Sequence, residues 1–348
     1  PVSGANLGRR SLTSVGWNVI ARAVKLPAGL VLSVILARQL PVEYFGVVAG
    51  IEAFLALLSA FFDFGLTGAY FHRSDETEDE ERATAVLFSL RVVFSALWMA
   101  LLIPVGLLFF SGTRQMVLFV WGATVALMRV VDTPRVLLMR RVEHKMLAFF
   151  DASVALLVLA ISAAIAYTTH SIWALLVYPV VSLAWSFVLF YLIKPVWRPR
   201  VLWDGAAVRY FLDFGRRGMP GGVLGVALDH VDDLWTNIFL GDLAMGFYSR
   251  AYRFAVYPGI VLAEPVNTVA SATYAELKHD RMRRSQAFFN VNALLVRTGF
   301  LLGGWFAVVA PELIRLFLGE RWLPMATAFR LMLVFTLFNP LKVTVASM

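Results

Sequence analysis

Two positive charges lie three residues apart inside an apolar stretch near the start of the 348-residue chain. The stretch "NVIARAVKLPAG", residues 18–29, carries Arg22 and Lys25. Side chains at i and i+3 lie on the same face of a helix, so a helix here presents both charges to one side. A cation at the bilayer centre costs about 2.5–3.5 kcal/mol on insertion scales. We expect Arg22 and Lys25 to line a wet cavity that binds an anion; pairing with an acid on another helix and a shallower location are the alternatives.

A second pair of cations has the same spacing. The stretch "GFYSRAYRFAVYPG", residues 246–259, places Arg250 and Arg253 three residues apart. The planar guanidinium of arginine binds two phosphate oxygens at once. We therefore predict that both pairs contribute to one central cationic cleft that holds a phosphorylated substrate.

Acidic residues are concentrated in the stretch "LDHVDDLW", residues 228–235. Ionisable groups in membrane segments often form ion or proton pathways, so a proton or Na⁺ relay is one interpretation. A metal site would need a clearer ligand set, and we predict none. The leading alternative is charge pairing with arginines of other segments. The residues concerned are Asp229, Asp232 and Asp233, with Arg250, Arg253 and Arg297 as candidate partners.

Arg129 and Asp132 form a further cation–acid combination with i, i+3 spacing. A simple ion pair within one helix is the expected interpretation, with ion coupling as the alternative.

Catalytic signatures are missing, since the chain has no G-x-S-x-G, P-loop or H-E-x-x-H motif. We therefore expect neither enzymatic activity nor a cofactor.

The composition indicates the environment in which these charges must be placed. Hydrophobic residues make up 59% of the chain and charged residues 16%, with a mean hydropathy of +0.73. Soluble domains are about 45–50% apolar and about 25% charged, so these values predict an integral membrane protein. The net charge of +8 does not indicate nucleic-acid binding, because the basic residues flank apolar stretches. The absence of cysteine excludes disulfides.

Long apolar stretches predict a polytopic α-helical bundle. A spanning helix needs about 20 mostly apolar residues, and the chain offers about ten such stretches. They cover 13–38, 47–70, 84–110, 115–138, 149–168, 171–193, 209–240, 245–275, 288–310 and 324–346. The ten-residue alternation of membrane β-barrels is missing, which leaves helices as the prediction. Because the chain runs from Pro1 to Met348 and ends within an apolar stretch, we expect a fragment of a longer protein.

The distribution of Lys and Arg predicts the orientation, because cytoplasmic loops are enriched in these residues. A cytoplasmic N-terminus places about fifteen cations inside and four outside. The inside set is Arg9, Arg10, Arg73, Arg82, Arg140, Arg141, Lys145, Lys194, Arg198, Arg200, Arg209, Lys278, Arg281, Arg283 and Arg284; the outside set is Arg38, Arg114, Arg315 and Arg321.

A proline-containing loop suggests the domain organisation. Residues 194–209 join the sixth predicted span to the seventh and carry two prolines. We predict an N-terminal six-helix bundle over 1–193, a cytoplasmic linker over 194–209, and a C-terminal bundle, truncated here, over 210–348. A faint internal repeat supports this division, with Gly46 and Gly246 in equivalent places after the first helix of each half.

Five stretches, in order along the whole chain, resemble the polysaccharide transporter family of the multidrug/oligosaccharidyl-lipid/polysaccharide (MOP) exporter superfamily. They are "LARQLPVEYFG" (36–46), "FFDFGLTGA" (61–69), "VDDLWTNIFLG" (231–241), "MGFYSRAYRFAVYP" (245–258) and "LGERWLPMATAFRLM" (318–332). The resemblance implies twelve to fourteen helices in two bundles around a central, often cationic, cleft. With about ten helices in this chain, one or two are expected to be missing at its C-terminal end.

The resemblance also implies a function. Members of the family flip undecaprenyl-pyrophosphate-linked oligosaccharides for lipopolysaccharide or exopolysaccharide biosynthesis from the cytoplasmic to the periplasmic leaflet of the bacterial inner membrane. The expected partners are the lipid-linked oligosaccharide, membrane lipid and other membrane proteins of glycan assembly. The alternative is a cation-coupled antiporter of drugs or small molecules, similar to the MATE transporters, in which acids such as Asp229, Asp232 and Asp233 would form the cation site. A membrane glycosyltransferase is disfavoured, because all loops on the outside are short.

Overall fold

The chain is helical throughout the part that the structure describes. The computed structural model describes residues 4–73, 80–141, 143–277 and 280–334. Within these ranges there is no β-strand. The prediction of an all-α integral membrane protein is confirmed. Spanning helices satisfy their own backbone hydrogen bonds, which lipid cannot do.

Eleven α-helices follow one another in the described ranges. Their bounds are α1 Gly4–Gln39, α2 Val42–Asp63, α3 Leu66–His72, α4 Glu80–Phe109, α5 Gly112–Val131, α6 Thr133–Arg140, α7 His144–Thr169, α8 Trp173–Phe187, α9 Gly205–Glu276, α10 Arg281–Val308 and α11 Ala310–Phe317. A π-helical turn, Val188–Ile193, extends α8, and a 3₁₀ turn, Glu320–Met325, follows α11. A further helical stretch covers 326–334.

Seven of the described segments are long and apolar enough to cross a membrane. They are Val19–Gln39, Val42–Asp63, Glu80–Phe109, Gly112–Val131, His144–Thr169, Trp173–Ile193 and Arg281–Val308. The predicted spans 209–240 and 245–275 are both helical, and together they form α9. The predicted span 324–346 lies mostly outside the described residues.

Residues up to 41 and residues 47–235 form one compact unit. In this first unit α1 packs along α7, α7 along α8, α8 along α5, and α5 along α4. Two apolar clusters lie inside the unit. One joins α3, α4, α6 and the start of α9, and the other joins α6, α7 and α8 with its π-helical turn. The loop before α9 lies within this unit, so the predicted division into two six-helix bundles at 194–209 stays a prediction.

Two predicted spans of the first unit are interrupted, which corrects the continuous helices expected over 47–70 and 115–138. Phe64 and Gly65 both have left-handed backbone angles, with φ of 45° and 60°, so α2 ends before them and α3 begins after them. In the second case α5 ends at Val131 and a new helix begins with Pro134 in its first turn. Proline has no backbone N–H and fixes its own φ, so it suits the first turn of a helix and not its interior.

Residues 42–46 and residues from 236 onward form the second unit. Helix α9 is interrupted in this unit at Gly241, whose φ of 83° and ψ of 179° belong to a region that essentially only glycine adopts. The start of α2 packs here against the second part of α9 and the 3₁₀ turn. Phe45 and Phe247 each contact Trp322 edge to face, at ring-centroid distances of 5.2 and 5.9 Å.

Candidate functional site

Arg22 and Lys25 lie on an exposed side of α1. Both side chains are exposed, whereas Ala21 and Ala28 of the same helix are buried. The apolar part of α1 long enough to span, among the described residues, begins at Val19. Both cations lie inside this segment, Val19–Gln39, and near the middle of α1 as a whole.

A proline lies next to these cations in the continuous helix α1. Pro27 lies inside α1, two residues after Lys25. A proline inside a helix removes the hydrogen bond to the carbonyl four residues earlier, which here is that of Ala23.

Lys25 forms no ion pair with any residue of the described ranges. The alternative in which an acid on another helix neutralises Lys25 therefore finds no support, and the exposed ammonium needs water or an anionic ligand.

The second predicted pair is divided between two environments. Arg250 is buried, and its guanidinium carbon lies 4.1 Å from the ring centroid of Phe45. This distance is typical of a cation–π contact. Arg253 is exposed and forms no ion pair with a described residue. Of this pair, Arg253 alone is exposed, whereas the position of Arg250 is set by the aromatic packing around Trp322.

The acids of the stretch 228–235 lie in the first unit. The Nδ1 atom of His230 is 3.2 Å from the Oδ2 atom of Asp233, so the acid pairs with a histidine on its own helix. Glu52 of α2 and Asp232 add negative charge near Asp233. No group of three or more potential metal ligands occurs in the described ranges.

The remaining charges of this prediction are exposed. Asp229 and Asp232 lie exposed on α9, and Arg297 lies exposed on α10. Neither Asp229 nor Arg297 has an ion-pair partner among the described residues. The predicted pairing of these acids with arginines of other helices is therefore not seen for Asp229 and Arg297.

Arg129 and Asp132 do not form an ion pair with each other in the described structure. Arg129 donates to the backbone carbonyl and hydroxyl oxygens of Ser59, at 3.1 and 2.5 Å. Its guanidinium also lies over the ring of Trp98, 4.7 Å from the centroid. Arg129 is therefore held by residues of α2 and α4, and the predicted pair with Asp132 is wrong.

Arg91 is buried in the first unit, whereas from the sequence it was expected near the end of a span and was not placed among the site residues. Arg91 is only 8% exposed, and it donates to the hydroxyls of Thr67 at 2.9 Å and Thr133 at 3.4 Å. These threonines begin the helices that follow the two interruptions, in α3 and α6. Arg91 therefore joins α4 to both. The available signal was an arginine inside the apolar run 84–110 with no acid three or four residues away.

Comparison with known proteins gives consistent results. Residues 35–327 match the family described as polysaccharide biosynthesis protein. The succinoglycan biosynthesis transport protein ExoT of Rhizobium meliloti (strain 1021) is 26% identical over 326 residues, which cover 89% of this chain and 63% of that protein. The chain therefore spans less than two thirds of the length of this relative.

Two solved structures share the fold. The lipid II flippase MurJ in an inward closed conformation matches with a TM-score of 0.70 and 14% identity, over 96% of this chain and 78% of that chain. The inward-facing conformation of a MATE multidrug transporter of the MOP superfamily matches with a TM-score of 0.64 and 13% identity, over 94% and 83% of the two chains. At these identities the likeness shows the fold alone.

Proposed function

The chain belongs to the family of polysaccharide biosynthesis proteins, and from this membership we propose that it flips undecaprenyl-pyrophosphate-linked oligosaccharides across the bacterial inner membrane. The direction of transport is from the cytoplasmic to the periplasmic leaflet. The succinoglycan biosynthesis transport protein among the relatives supports a polysaccharide precursor as the transported molecule, and the fold shared with a lipid II flippase is compatible with a lipid-linked form.

The observation that carries this proposal is the exposed pair Arg22 and Lys25 on an otherwise apolar membrane helix. An ammonium exposed to lipid is costly, so these groups belong in a wet cavity. A pyrophosphate carries several oxygens that can accept charge-assisted hydrogen bonds from a guanidinium and an ammonium. The pair replaces water around the pyrophosphate as it leaves the membrane surface.

Arg250 and Arg253 belong to the second unit, and we propose that this pair binds phosphate as well. The exposed Arg253 supplies a second guanidinium group that can bind two phosphate oxygens. Arg250 has little exposed surface, and its place over Phe45 fixes its guanidinium plane. In this proposal Arg253 binds the ligand directly, and Arg250 contributes positive charge from a position that aromatic packing holds.

The transport step follows from the chemistry of the substrate. The glycan and the pyrophosphate need an aqueous path, whereas the polyprenyl tail is stable in lipid. The cationic site would therefore open to each leaflet in turn, with a lateral gap for the tail, as in alternating access between repeats. In the orientation predicted from Lys and Arg, α1 begins on the cytoplasmic side, where the substrate enters, and Arg22 and Lys25 lie near the middle of this helix.

A second candidate is a cation-coupled antiporter of small molecules. The cluster of His230, Asp232, Asp233 and Glu52 in the first unit favours it, because it concentrates acidic groups on membrane helices. The fold likeness to a MATE transporter is compatible with it. This candidate does not account for the exposed cations of α1.

The test of the proposed function is a leaflet-resolved analysis of lipid-linked glycans in cells that lack the gene. Mass spectrometry would identify the glycans, and a membrane-impermeant glycosidase would separate the two leaflets. The proposal expects a complete pyrophosphate-linked oligosaccharide to accumulate on the cytoplasmic leaflet. If its distribution stays that of the parent strain while the glycan pathway is intact and no second flippase gene is present, the proposal is wrong.

A further inference from the structure

The segment between α8 and α9 is an ordered strap that packs along α4. We use the name strap for residues 194–204, "KPVWRPRVLWD". Trp197 packs against Phe88 of α4, with ring centroids 5.5 Å apart and ring planes inclined at 59°. Farther along, the backbone N–H of Leu202 donates to the hydroxyl of Ser89 at 2.8 Å. The strap is therefore a docked element.

The ends of the strap are also held. Lys194 and Val196 donate their backbone N–H groups to the last turns of the preceding helix, at Leu189 and Phe190. At the other end Asp204 forms an ion pair with Arg82 at 2.5 Å and accepts from the backbone N–H of Ala206 at 3.0 Å. The strap thus has a fixed position on the first unit.

The contacts with α4 place the strap at the depth of a membrane interface. They run from Arg82 to Ser89, which is about 10 Å along the helix at 1.5 Å per residue. The segment of α4 that is long and apolar enough to cross a membrane begins at Glu80. The strap therefore lies beside the first turns of a span, where headgroups meet the hydrocarbon.

The exposed side of the strap combines apolar and cationic side chains. Val201 and Trp203 are 67% and 57% exposed. Tryptophan is typical of the membrane interface, because its ring is apolar and its N–H is polar. Lys194 and Arg198 are exposed and form no ion pair with a described residue. Arg200 lies 3.9 Å from Glu81, and both side chains are about 70% exposed.

We propose that the strap binds the headgroups of anionic phospholipids through Lys194 and Arg198, with Val201 and Trp203 inserted beside them. Cations that form no ion pair within the described residues, next to exposed apolar groups, match a negatively charged lipid surface, which attracts Lys and Arg. The leaflet is the cytoplasmic one in the orientation predicted from the sequence. The inference does not depend on the transported molecule.

Spin labelling tests the insertion directly, because the chain has no native cysteine. A nitroxide at Val201→Cys leaves Trp203 in place, and a nitroxide at the exposed loop residue Ser111→Cys serves as the aqueous reference. In nanodiscs with phosphatidylglycerol we expect the label at 201 to be relaxed mainly by oxygen and the label at 111 mainly by a water-soluble nickel chelate. Equal access of the chelate to both labels would overturn the inference.

Removal of the positive charges of Lys194 and Arg198 tests whether the strap binds anionic headgroups. In the Val201→Cys background, short-chain phosphatidylglycerol is added until the mobility of the spin label has fallen half-way to its final value. We expect the variant Lys194→Gln plus Arg198→Gln to need about ten times more of this lipid, a factor equivalent to roughly 1.4 kcal/mol. The control Arg38→Gln plus Arg315→Gln removes the same charge from exposed sites of the predicted outside set and should change nothing.

Three results would contradict the proposal. The first is an equal shift in the two double variants. The second is restriction of the label by inorganic phosphate in the absence of lipid, which would indicate a free anion as the ligand. The third is a label in native membranes that is shielded from both oxygen and the chelate, which would indicate that a protein covers the strap.

Discussion

Gly46 and Gly246 each lie against the backbone of the other's helix in a reciprocal arrangement. A Cβ atom on Gly46 would overlap the carbonyl group of Asp242, and a Cβ atom on Gly246 would overlap the carbonyl group of Val42. Residues 42–46 and 242–246 thus cross with the same four-residue offset on both sides. Glycine at both positions allows this close approach, because it has no Cβ atom, and the internal repeat expected from the sequence stays a prediction.

This crossing predicts a strict size limit at both glycines. Gly46→Ala and Gly246→Ala should each lower the thermal stability of the purified protein, because a methyl group meets backbone atoms that cannot move aside; overpacking of this kind costs about 1–3 kcal/mol. Gly304→Ala is the matched control, since nothing lies within 4 Å of its Cβ position. Melting of the Gly46 variant at the temperature of the Gly304 variant would show that the close contact is absent.

Arg250 and Arg253 should differ in what their loss affects. Arg250→Ala removes the cation–π contact with Phe45 and empties a buried position, so we expect lower thermal stability. Arg253→Ala changes an exposed side chain, so stability should stay within about 0.5 kcal/mol while transport is lost. Melting curves and a transport assay of both variants separate the two effects. Full transport by Arg253→Ala would remove this residue from the binding set.

The threonine partners of Arg91 predict a structural role for the buried guanidinium. Thr67→Val keeps the shape of the side chain but removes the acceptor 2.9 Å from Arg91, and an unsatisfied buried donor costs about 1–3 kcal/mol. Thr168→Val is the control, because the hydroxyl of Thr168 is exposed and bonds within its own helix. Equal melting temperatures for the two variants would mean that Arg91 does not depend on this hydroxyl.

The attachment of the strap at Asp204 should depend on pH, because it requires the carboxylate form of this side chain. The backbone N–H of Ala206 and the nearby Arg82 lower the pKa of Asp204 from its ordinary value. The folded state therefore favours the carboxylate, so its stabilising effect is complete above the unfolded-chain pKa of about 3.9 and is lost as the pH falls through the lowered value. Asp204→Asn retains an acceptor for the helix N-terminus, whereas Asp204→Ala does not, so the alanine variant should release the strap more. Spin-label mobility at residue 201 measures this release, and identical mobility in the two variants would count against the anchoring role.

Much of the fold could be predicted from the sequence, because length and apolarity alone identify a spanning helix. The interruptions could not be predicted equally well. The break after α2 depends on a positive φ at Phe64, a conformation that residues other than glycine adopt rarely and that tertiary packing must enforce. The break before α6 had a signal in Pro134, but an apolar run on both sides obscured it.

The environments of the candidate site residues could also be predicted only in part from the sequence. Spacing correctly indicates which cations share a helix, but it does not tell which of them is buried. The burial of Arg250 depends on Phe45, about two hundred residues earlier in the chain, and no local pattern indicates that contact. The pair expected between Arg129 and Asp132 is absent, and Arg129 instead contacts Ser59 and Trp98, which are distant in the sequence. The roles of Arg22, Lys25, Arg250 and Arg253 in binding substrate stay predictions.

The central claim is that Arg22 and Lys25 bind the pyrophosphate of a lipid-linked glycan during flipping. The most direct measurement reconstitutes the purified protein, extended to the full length of its relatives where required, in vesicles that contain a labelled undecaprenyl-pyrophosphate oligosaccharide. A membrane-impermeant glycosidase then reports how fast the glycan changes leaflet. We predict rapid exchange with the parent protein and none above protein-free vesicles with Arg22→Ala plus Lys25→Ala, at equal levels of folded protein. Exchange at the parent rate by the double variant would contradict the account.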